Sequence, residues 1–199
     1  MERALFLDRD GVINEDCGYC YQPKHCVFVD GIFDLTQKAQ ENGYLVIVIT
    51  NQSGIARGYY SESEFLEFTL WIERQFKLRG ITITQTYHCP HHPDHAPDRS
   101  RQEFCKCRKP QPGMILEALS NHEISAEQSI LVGDNISDMD AAFRAGIGKK
   151  VLVSAAKSSN YEDFRAASLR DVTSFLFGKT VLYQSNEPAI ATRGKDAES

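Results

Sequence analysis

The sequence predicts an α/β protein built on a doubly wound parallel sheet, and three observations favour this fold. Short apolar runs alternate with amphipathic helical patterns along the chain. The run Leu45–Ile49 is apolar at every position, which is typical of a parallel strand covered on both faces. The length of 199 residues is enough for one domain with a substantial core.

The predicted elements follow the order β-α-β-α-β-loop-α-β-α-β. Gly43 ends the first helix, and the capping-box pattern from Ser61 to Glu64 begins the second. This order predicts a Rossmann-like sheet with helices on both faces. Strands are predicted at Ala4–Leu7, Leu45–Ile49, Ile83–His88, Ser129–Val132 and Lys150–Val153, and helices at Ile32–Gln40, from Ser61 to about Arg79, at Gly113–Asn121 and at Ser137–Ala145.

The last part of the chain has a weaker pattern. The periodicity fades after about Asp171, and the segment 184–199 is polar, so we expect it to be a disordered tail. Residues 1–183 are expected to form a single domain. Within that domain, the segment Cys89–Pro112 has the Pro, His and Asp content of a loop.

The composition is that of an ordinary globular protein, with 42% hydrophobic and 25% charged residues. The net charge of −5 gives no indication of binding to nucleic acid or to anionic lipid. The N-terminus lacks the pattern of a secretory signal, and no stretch approaches the ~18 apolar residues that span a bilayer. We therefore expect a cytoplasmic protein, in which six cysteines favour metal ligation or free thiols over disulfides.

Two carboxylates, Asp8 and Asp10, directly follow the first predicted strand. Like charges this close raise the pKa of one group or recruit a cation, and Mg²⁺ favours such oxygen ligands. Gly11 permits a sharp turn at this point. The alternative is a turn in which the aspartates only accept backbone hydrogen bonds.

Three later segments also lie at predicted strand or loop ends. Thr50–Gly54 offers a hydroxyl, amides and backbone N–H groups suited to cradling a phosphate. Arg108 and Lys109 place two cations just before a predicted helix N-terminus. Gly133–Asp138 offers carboxylates for a cation. Each segment also has an ordinary explanation: a polar loop, a solvated basic pair and a helix N-cap, respectively.

In this order and at these positions, the four segments resemble the motifs of the haloacid-dehalogenase-like phosphatase superfamily, over roughly residues 3–153. The resemblance implies a Mg²⁺-dependent phosphatase in which Asp8 attacks phosphorus, forms an aspartyl phosphate, and is assisted by Asp10 as general acid and base. Mg²⁺ would bind the Asp8 carboxylate, the main-chain carbonyl of Asp10 and Asp134, while Thr50 and Lys109 hold the phosphoryl oxygens. It also implies a monomer without a large cap domain.

A second cluster of metal-binding side chains flanks the long loop. The segments 89–91 and 105–107 together offer three thiolates and an imidazole, which suit tetrahedral Zn²⁺. A long polar loop is costly to order without such a staple. His92 and His95 are competing ligands, and free surface thiols are the alternative without a metal.

The loop resembles that of two related families, the heptose bisphosphate phosphatases and the histidinol-phosphate phosphatases. Both carry a structural Zn²⁺ there, and the resemblance assigns the ligands as Cys89, His91, Cys105 and Cys107. The segments Thr50–Gly58 and Asp16–Tyr19 favour the heptose family, whose substrate is D-glycero-D-manno-heptose 1,7-bisphosphate in nucleotide-activated heptose synthesis for lipopolysaccharide. The substrate contacts that this resemblance implies are Asp16, Gly18, Tyr19, Asn51, Gln52, Ser53 and Arg108.

Two positions depart from the heptose family's pattern. Cys17 stands where its members carry histidine, and Asn135 stands where they usually carry lysine, so one positive charge near the phosphate is missing. The cysteines at 17, 20 and 26 have no assigned role. A second metal site with His25 is the alternative to free thiols on this loop.

Three other functions are open at this point. A histidinol-phosphate phosphatase is the runner-up. A polynucleotide 3′-phosphatase shares the Thr-Asn-Gln and Asp-x-Asp-Gly features, but the acidic net charge, the lack of a kinase P-loop and the cysteine-rich loop argue against it. A non-catalytic, zinc-stapled binding module has no need of Asp8, Asp10, Lys109 and Asp134 together.

Overall fold

Six parallel strands form the central sheet in the computed structural model, which describes residues 1–92 and 105–178. The strands are β1 (Ala4–Leu7), β2 (Leu45–Asn51), β3 (Ile83–Cys89), β4 (Ile130–Gly133), β5 (Lys149–Val153) and β6 (Phe164–Ala166). Across the sheet they lie in the order β3-β2-β1-β4-β5-β6. The prediction of a parallel sheet is therefore confirmed.

The connections between the strands are mostly helical. Ser61 caps one of these helices as predicted, because its hydroxyl accepts from the Glu64 N–H at 3.2 Å and the Glu64 carboxylate accepts from the Ser61 N–H at 2.8 Å. The helices are α1 (Ile32–Glu41), α2 (Ser53–Ala56), α3 (Glu62–Lys77), α4 (Gly113–Asn121), α5 (Ile136–Arg144) and α6 (Leu169–Phe177), with a 3₁₀ turn at Pro23–His25.

Each face of the sheet packs against its own hydrophobic cluster. In β1, Leu5 and Leu7 point to the cluster under α1, α3 and α6, whereas Ala4 and Phe6 point to the cluster under α4 and α5. Alternate side chains of a strand leave opposite faces, so a strand covered on both sides is apolar throughout. The predicted doubly wound arrangement is confirmed.

The direction in which successive strands are added to the sheet reverses between β1 and β4. The chain moves from β1 to β2 on one side, and later strands are added on the other side, next to β1. Leu7 pairs with Val132 there, and the Asp8 N–H donates to the Val132 carbonyl at 3.1 Å. Such a switch point opens a crevice at the carboxyl ends of the strands, where ligands bind in this class of fold.

The structure adds elements beyond those predicted. Strand β6 and helix α6 follow β5, whereas the predicted order ended at β5. A three-residue edge strand such as β6 is too short to show a period of two, which is why the pattern did not reveal it. No helix in the described part of the chain is both long and apolar enough to cross a membrane. The predicted tail at 184–199 and the alternative ligand His95 fall outside the described residues.

Candidate active site

A cleft of about 470 Å³ opens at the carboxyl ends of β1 and β2. All of the sequence-predicted nucleophile, phosphate-binding and substrate-contact residues lie along it, and three further residues join them, of which only Asn135 was placed near the phosphate by the sequence. The lining residues are Asp8, Asp10, Asp16, Gly18, Tyr19, Thr50, Asn51, Gln52, Ser53, Arg108 and Lys109, together with Tyr60, Asn135 and Ser137.

Lys109 is a buried cation in this cleft. Its ammonium lies 2.9 Å from Asp8 Oδ1 and 2.6 Å from Asp138 Oδ1, and it donates to the Ile49 carbonyl at 3.0 Å. The ammonium thus lies at ion-pair distance from two carboxylates and donates one hydrogen bond to the main chain of β2. Burial lowers the pKa of Lys109, but Asp138 and Asp8 outweigh burial and raise it, so the ammonium stays charged.

Asn51 fixes the backbone that carries Lys109. Its Nδ2 donates to the Lys109 carbonyl at 3.1 Å, and its Oδ1 accepts from the Lys109 N–H at 3.0 Å. The end of β2 is thereby joined to a segment 58 residues away. Asn51 was predicted to contact substrate; it does lie at the cleft, but both polar atoms of its side chain are engaged by Lys109.

Gln52 is also buried and engaged by its neighbours. Its Nε2 donates to Thr50 Oγ1 at 2.7 Å and to Asp10 Oδ2 at 3.0 Å, while its Oε1 accepts from the Tyr60 hydroxyl at 2.5 Å. Burial raises the pKa of Tyr60 to about 12, so its hydroxyl remains a donor. A side chain at Gly54 would collide with the Tyr60 ring, which explains the glycine there.

Asp10 accepts hydrogen bonds from three side chains. Arg9 Nη2 donates to Asp10 Oδ2 at 2.8 Å, and Asn14 Nδ2 donates to Asp10 Oδ1 at 3.0 Å. Gln52 supplies the third donor, as described above. Charge-assisted contacts of this kind hold a carboxylate in one orientation.

Arg9 lies between the two aspartates in sequence, but its side chain is fully buried. Nη2 also donates to the Cys20 carbonyl at 2.8 Å, and the guanidinium lies 5.6 Å and 5.4 Å from the ring centroids of Phe65 and Phe68. Arg9 therefore joins Asp10 to helix α3 and to the loop before Cys20. Arg9 was not among the predicted site residues, since an arginine beside two aspartates has the pattern of a solvated residue.

Three carboxylates converge beside Lys109. Asp8, Asp134 and Asp138 have oxygens within 4.8 Å of one another. Burial, opposed by Lys109 and reinforced by Asp138, raises the pKa of Asp8 to about 8. Burial and then Asp138 also raise the pKa of Asp134. A divalent cation relieves this repulsion, and an all-oxygen donor set suits Mg²⁺.

Asp138 was not in the predicted metal set, which comprised Asp8, Asp10 and Asp134. It is fully buried in the first turn of α5, and its Oδ2 accepts from the Asn135 N–H at 3.0 Å. In the sequence, its position four residues after Asp134 could have indicated that it belongs to this group of carboxylates. Gly11 leaves room for this group, because a Cβ there would lie 2.6 Å from Asp134 Oδ2.

The loop around Gly18 forms one wall of the cleft. Asp16 Oδ1 accepts from the Gly18 N–H at 2.9 Å, and Gly18 and Tyr19 both have positive φ, 83° and 90°. The Tyr19 ring meets Tyr59 edge to face, with centroids 4.5 Å apart. Tyr59 was not predicted to lie near the site, because this contact joins two separate loops.

The three remaining cysteines lie in or beside this loop. Burial raises the pKa of Cys20 to about 12 and that of Cys26 to about 11, so these thiols are protonated at neutral pH. The potential metal-binding groups found among the described residues do not include Cys17, Cys20 or Cys26. Free thiols fit this arrangement better than the alternative second metal site.

A second group of metal-binding side chains converges beside the cleft. The three Sγ–Sγ distances are 3.1, 3.3 and 3.6 Å, and the distances from the sulfurs to the imidazole Nδ1 are 3.4, 3.5 and 3.5 Å. Six nearly equal separations describe a tetrahedron of donors, as structural Zn²⁺ requires. The residues are Cys89, His91, Cys105 and Cys107.

His92, a competing ligand from the sequence analysis, lies apart from this tetrahedron. Its Nε2 is 2.7 Å from Arg57 Nη2. The other competitor, His95, is outside the described residues. Within the described chain, the geometry therefore favours His91 as the imidazole ligand.

The cysteine tetrahedron is coupled to the cleft by the chain itself. Cys107 directly precedes Arg108 and Lys109, and Arg108 Nη1 donates back to the His91 carbonyl at 3.1 Å. Its hydrogen bonding with Cys89 lowers the pKa of the Cys107 thiol to about 5, against the effect of burial. Ordering of the cysteine tetrahedron therefore also orders Arg108 and Lys109 at the cleft.

The chain is similar in sequence to known phosphatases. Residues 106–171 match the family model described as HAD-hydrolase-like. The D-glycero-β-D-manno-heptose-1,7-bisphosphate 7-phosphatase of Photorhabdus laumondii is 44% identical over 166 residues, which cover 83% of this chain and 88% of that protein. The corresponding α-anomer enzyme of Burkholderia mallei is 45% identical over 179 residues, covering 88% and 94%.

A solved structure has the same fold. It is the D,D-heptose 1,7-bisphosphate phosphatase from B. bronchiseptica, complexed with magnesium and phosphate. The TM-score is 0.74 at 25% sequence identity, and the match covers 87% of this chain and 97% of that one.

Proposed function

This chain belongs to the haloacid-dehalogenase-like hydrolases and, within them, to the family of the heptose-1,7-bisphosphate 7-phosphatases, and we propose that it removes the 7-phosphate of D-glycero-D-manno-heptose 1,7-bisphosphate. It is a Mg²⁺-dependent phosphatase. The observation that carries the phosphoryl-transfer part of the proposal is the buried contact of Lys109 with Asp8 and Asp138 at the switch point of the sheet, while the heptose substrate is supported by the relatives that are 44% and 45% identical. We propose a place for the reaction in nucleotide-activated heptose synthesis, with the protein acting as a cytoplasmic monomer.

Asp8 is the proposed nucleophile. Its Oδ1 contacts Lys109 at 2.9 Å and accepts from the Arg9 N–H at 2.7 Å, which fixes the carboxylate at the cleft. Attack forms a bond from the carboxylate oxygen to phosphorus while the bond from phosphorus to the sugar oxygen breaks. Lys109 and the Thr50 hydroxyl are the proposed partners of the phosphoryl oxygens, where positive charge and fixed dipoles stabilise the transition state.

Asp10 is the proposed general acid and base. It gives a proton to the departing sugar oxygen, and it then takes a proton from the water that hydrolyses the aspartyl phosphate. Arg9, Asn14 and Gln52 hold its carboxylate in place for both steps. We therefore propose that Gln52 acts on the reaction through Asp10, and that Asn51 acts through Lys109.

Mg²⁺ is the proposed catalytic cation. The oxygen donors of Asp8 and Asp134 fit it, with the Asp10 main-chain carbonyl as a third ligand. When bound, it neutralises charge on the phosphoryl group. Asp138 is not in this proposed ligand set; its Oδ1 lies 2.6 Å from the Lys109 ammonium and its Oδ2 accepts from the Asn135 N–H.

Zn²⁺ is the proposed structural ion of the cysteine tetrahedron, where its ligands would order the chain that leads to Lys109.

Around the sugar, the proposed direct contacts are Asp16, Gly18, Tyr19, Ser53 and Arg108. The relatives that are 44% and 45% identical are named for opposite anomers, so sequence identity does not choose the C1 configuration.

The direct test of the substrate is a Mg²⁺-dependent phosphate-release assay with both heptose bisphosphate anomers and with histidinol phosphate. We expect kcat/KM for at least one anomer to exceed that for histidinol phosphate by about a hundredfold, because polar groups placed for the sugar are left unpaired by the smaller substrate. A preference for histidinol phosphate would instead support the runner-up function.

Asp8→Asn is expected to lower turnover by at least about a thousandfold, since the amide oxygen is a far weaker nucleophile. Steady-state phosphate release measures this, with Asp30→Asn as the matched control. Asp30 is exposed and pairs with Arg170 away from the cleft, so its variant should keep normal turnover. Turnover of Asp8→Asn within a few-fold of that of the unmutated enzyme would contradict the proposed mechanism.

The same variant has a predictable effect on stability. With the folded-state pKa of Asp8 at about 8, the native metal-free protein retains a proton that the unfolded chain releases near pH 4. Its free energy of unfolding therefore falls as pH rises from about 4 to about 8, by at most ~1.4 kcal/mol per pH unit from this group. Urea unfolding of Asp8→Asn without Mg²⁺ should show a shallower fall, and an unchanged slope would contradict the raised pKa of Asp8.

Cys107→Ser is expected to lower zinc content well below the one ion per chain of a structural site, and to lower the melting temperature. Cys26→Ser is the control, because Cys26 is half-buried but lies outside the tetrahedron. Elemental analysis and thermal unfolding measure the two effects. Unmutated protein purified with almost no zinc would refute the structural ion.

A further inference from the structure

The loop after β5 brings a lysine to the metal-binding end of the cleft. β5 lies next to β4 in the sheet, and Lys157 follows the end of β5 by four residues. The loop is held by Ser154, whose hydroxyl accepts from the N–H groups of Ala156 at 3.3 Å and Lys157 at 3.0 Å. This turn places the Lys157 side chain beside the segment that follows β4.

The ammonium of Lys157 makes three contacts with two consecutive residues. It donates to the Asp134 carbonyl at 3.1 Å and to Asn135 Oδ1 at 2.7 Å, and it lies 3.9 Å from Asp134 Oδ2. The Lys157 side chain is 45% exposed, while that of Asp134 is 19% exposed. The contact therefore lies at the rim of the site rather than in its interior.

Asn135 connects this lysine to the carboxylate. Its Oδ1 accepts from Lys157, and its Nδ2 donates to Asp134 Oδ1 at 2.8 Å. Since an ammonium only donates, Lys157 orients the Asn135 amide with its NH₂ group toward Asp134. The Asn135 N–H is bound to Asp138, so both ends of this residue are fixed.

We propose that Lys157 is a positioning residue for the metal-binding carboxylate of Asp134, acting on its main-chain carbonyl and, through the Asn135 amide, on its side chain. The inference rests on the proposed function, because it assumes that Asp134 binds Mg²⁺. Partners of metal ligands that hold them in orientation typically change metal affinity by about 10- to 100-fold.

The direction in which Mg²⁺ affinity changes when Lys157 is removed distinguishes a positioning role from a purely electrostatic one. A positive charge 3.9 Å from Asp134 repels Mg²⁺, so if Lys157 acted only as a charge, its removal would strengthen Mg²⁺ binding. If Lys157 holds Asp134 in place, its removal weakens Mg²⁺ binding. The two roles therefore predict opposite changes in the same dissociation constant.

The test is calorimetric titration of the zinc-containing protein with MgCl₂. Lys157→Met is expected to raise the Mg²⁺ dissociation constant about tenfold. Lys38→Met is the matched control, because the Lys38 side chain is 46% exposed and pairs with Glu41 at the surface, and its affinity should not change. An unchanged or lower dissociation constant in Lys157→Met would overturn the proposal.

Asn135→Ala tests the connection to Asp134. It should also weaken Mg²⁺ binding, and the double variant with Lys157→Met should lose less affinity than the two single losses combined, because both changes break one path. Fully additive losses would overturn the path through Asn135. In the heptose bisphosphate assay, saturating Mg²⁺ should restore kcat of Lys157→Met, a recovery that a general folding defect would not allow.

The outcomes also distinguish this inference from the proposed function. If the unmutated protein binds Mg²⁺ but does not hydrolyse the heptose bisphosphate, the substrate proposal fails while the altered affinity of Lys157→Met still supports the positioning role. If it hydrolyses the substrate and Lys157→Met binds Mg²⁺ normally, only the positioning role fails. A protein that binds no Mg²⁺ would overturn both.

Discussion

The rest of the site depends on the ion pairs and the hydrogen bond of the buried Lys109 ammonium. The ammonium joins the residue after β1, a carbonyl in β2 and the first turn of α5, which are three separate parts of the fold. A buried charge is stable only when its partners and hydrogen bonds are all supplied. Two other features bring Lys109 to this position: the Asn51 clamp on its backbone and the cysteine tetrahedron that ends two residues before it.

The close pair of aspartates is possible because each has its own buried cation. Asp8 contacts Lys109, while Asp10 contacts Arg9, so the two like charges are held by different partners. Counting Asp134 and Asp138, four carboxylates face two buried cations and the half-exposed Lys157, so negative charge remains if all are ionised. This remaining charge favours a bound cation, which is consistent with the proposed Mg²⁺ and with the raised pKa values of Asp8 and Asp134 in its absence.

Most of the framework and the reactive groups could be predicted from sequence, because each had a local signal. The apolar run of β2 indicated a strand buried on both faces. Asp8 directly follows a predicted strand and Lys109 shortly precedes a predicted helix, which marked both as candidate site residues. What could not be predicted depends on contacts between distant segments. The clamp of Asn51 on Lys109 spans 58 residues, and no local pattern marks it. Arg9 likewise has the sequence context of a surface residue, and only the packing of α3 against it shows that it is buried.

The most direct test of this role of Lys109 is the free energy of unfolding of Lys109→Met in zinc-containing protein without Mg²⁺, compared with the double variant Lys109→Met/Asp138→Asn. The single variant should lose about 3–5 kcal/mol, because the buried carboxyl groups of Asp8 and Asp138 lose the cation that they share. The double variant should recover part of that loss, since one of those carboxylates is gone. A Lys109→Met protein as stable as the unmutated chain, or no recovery in the double variant, would contradict the central role of this ammonium.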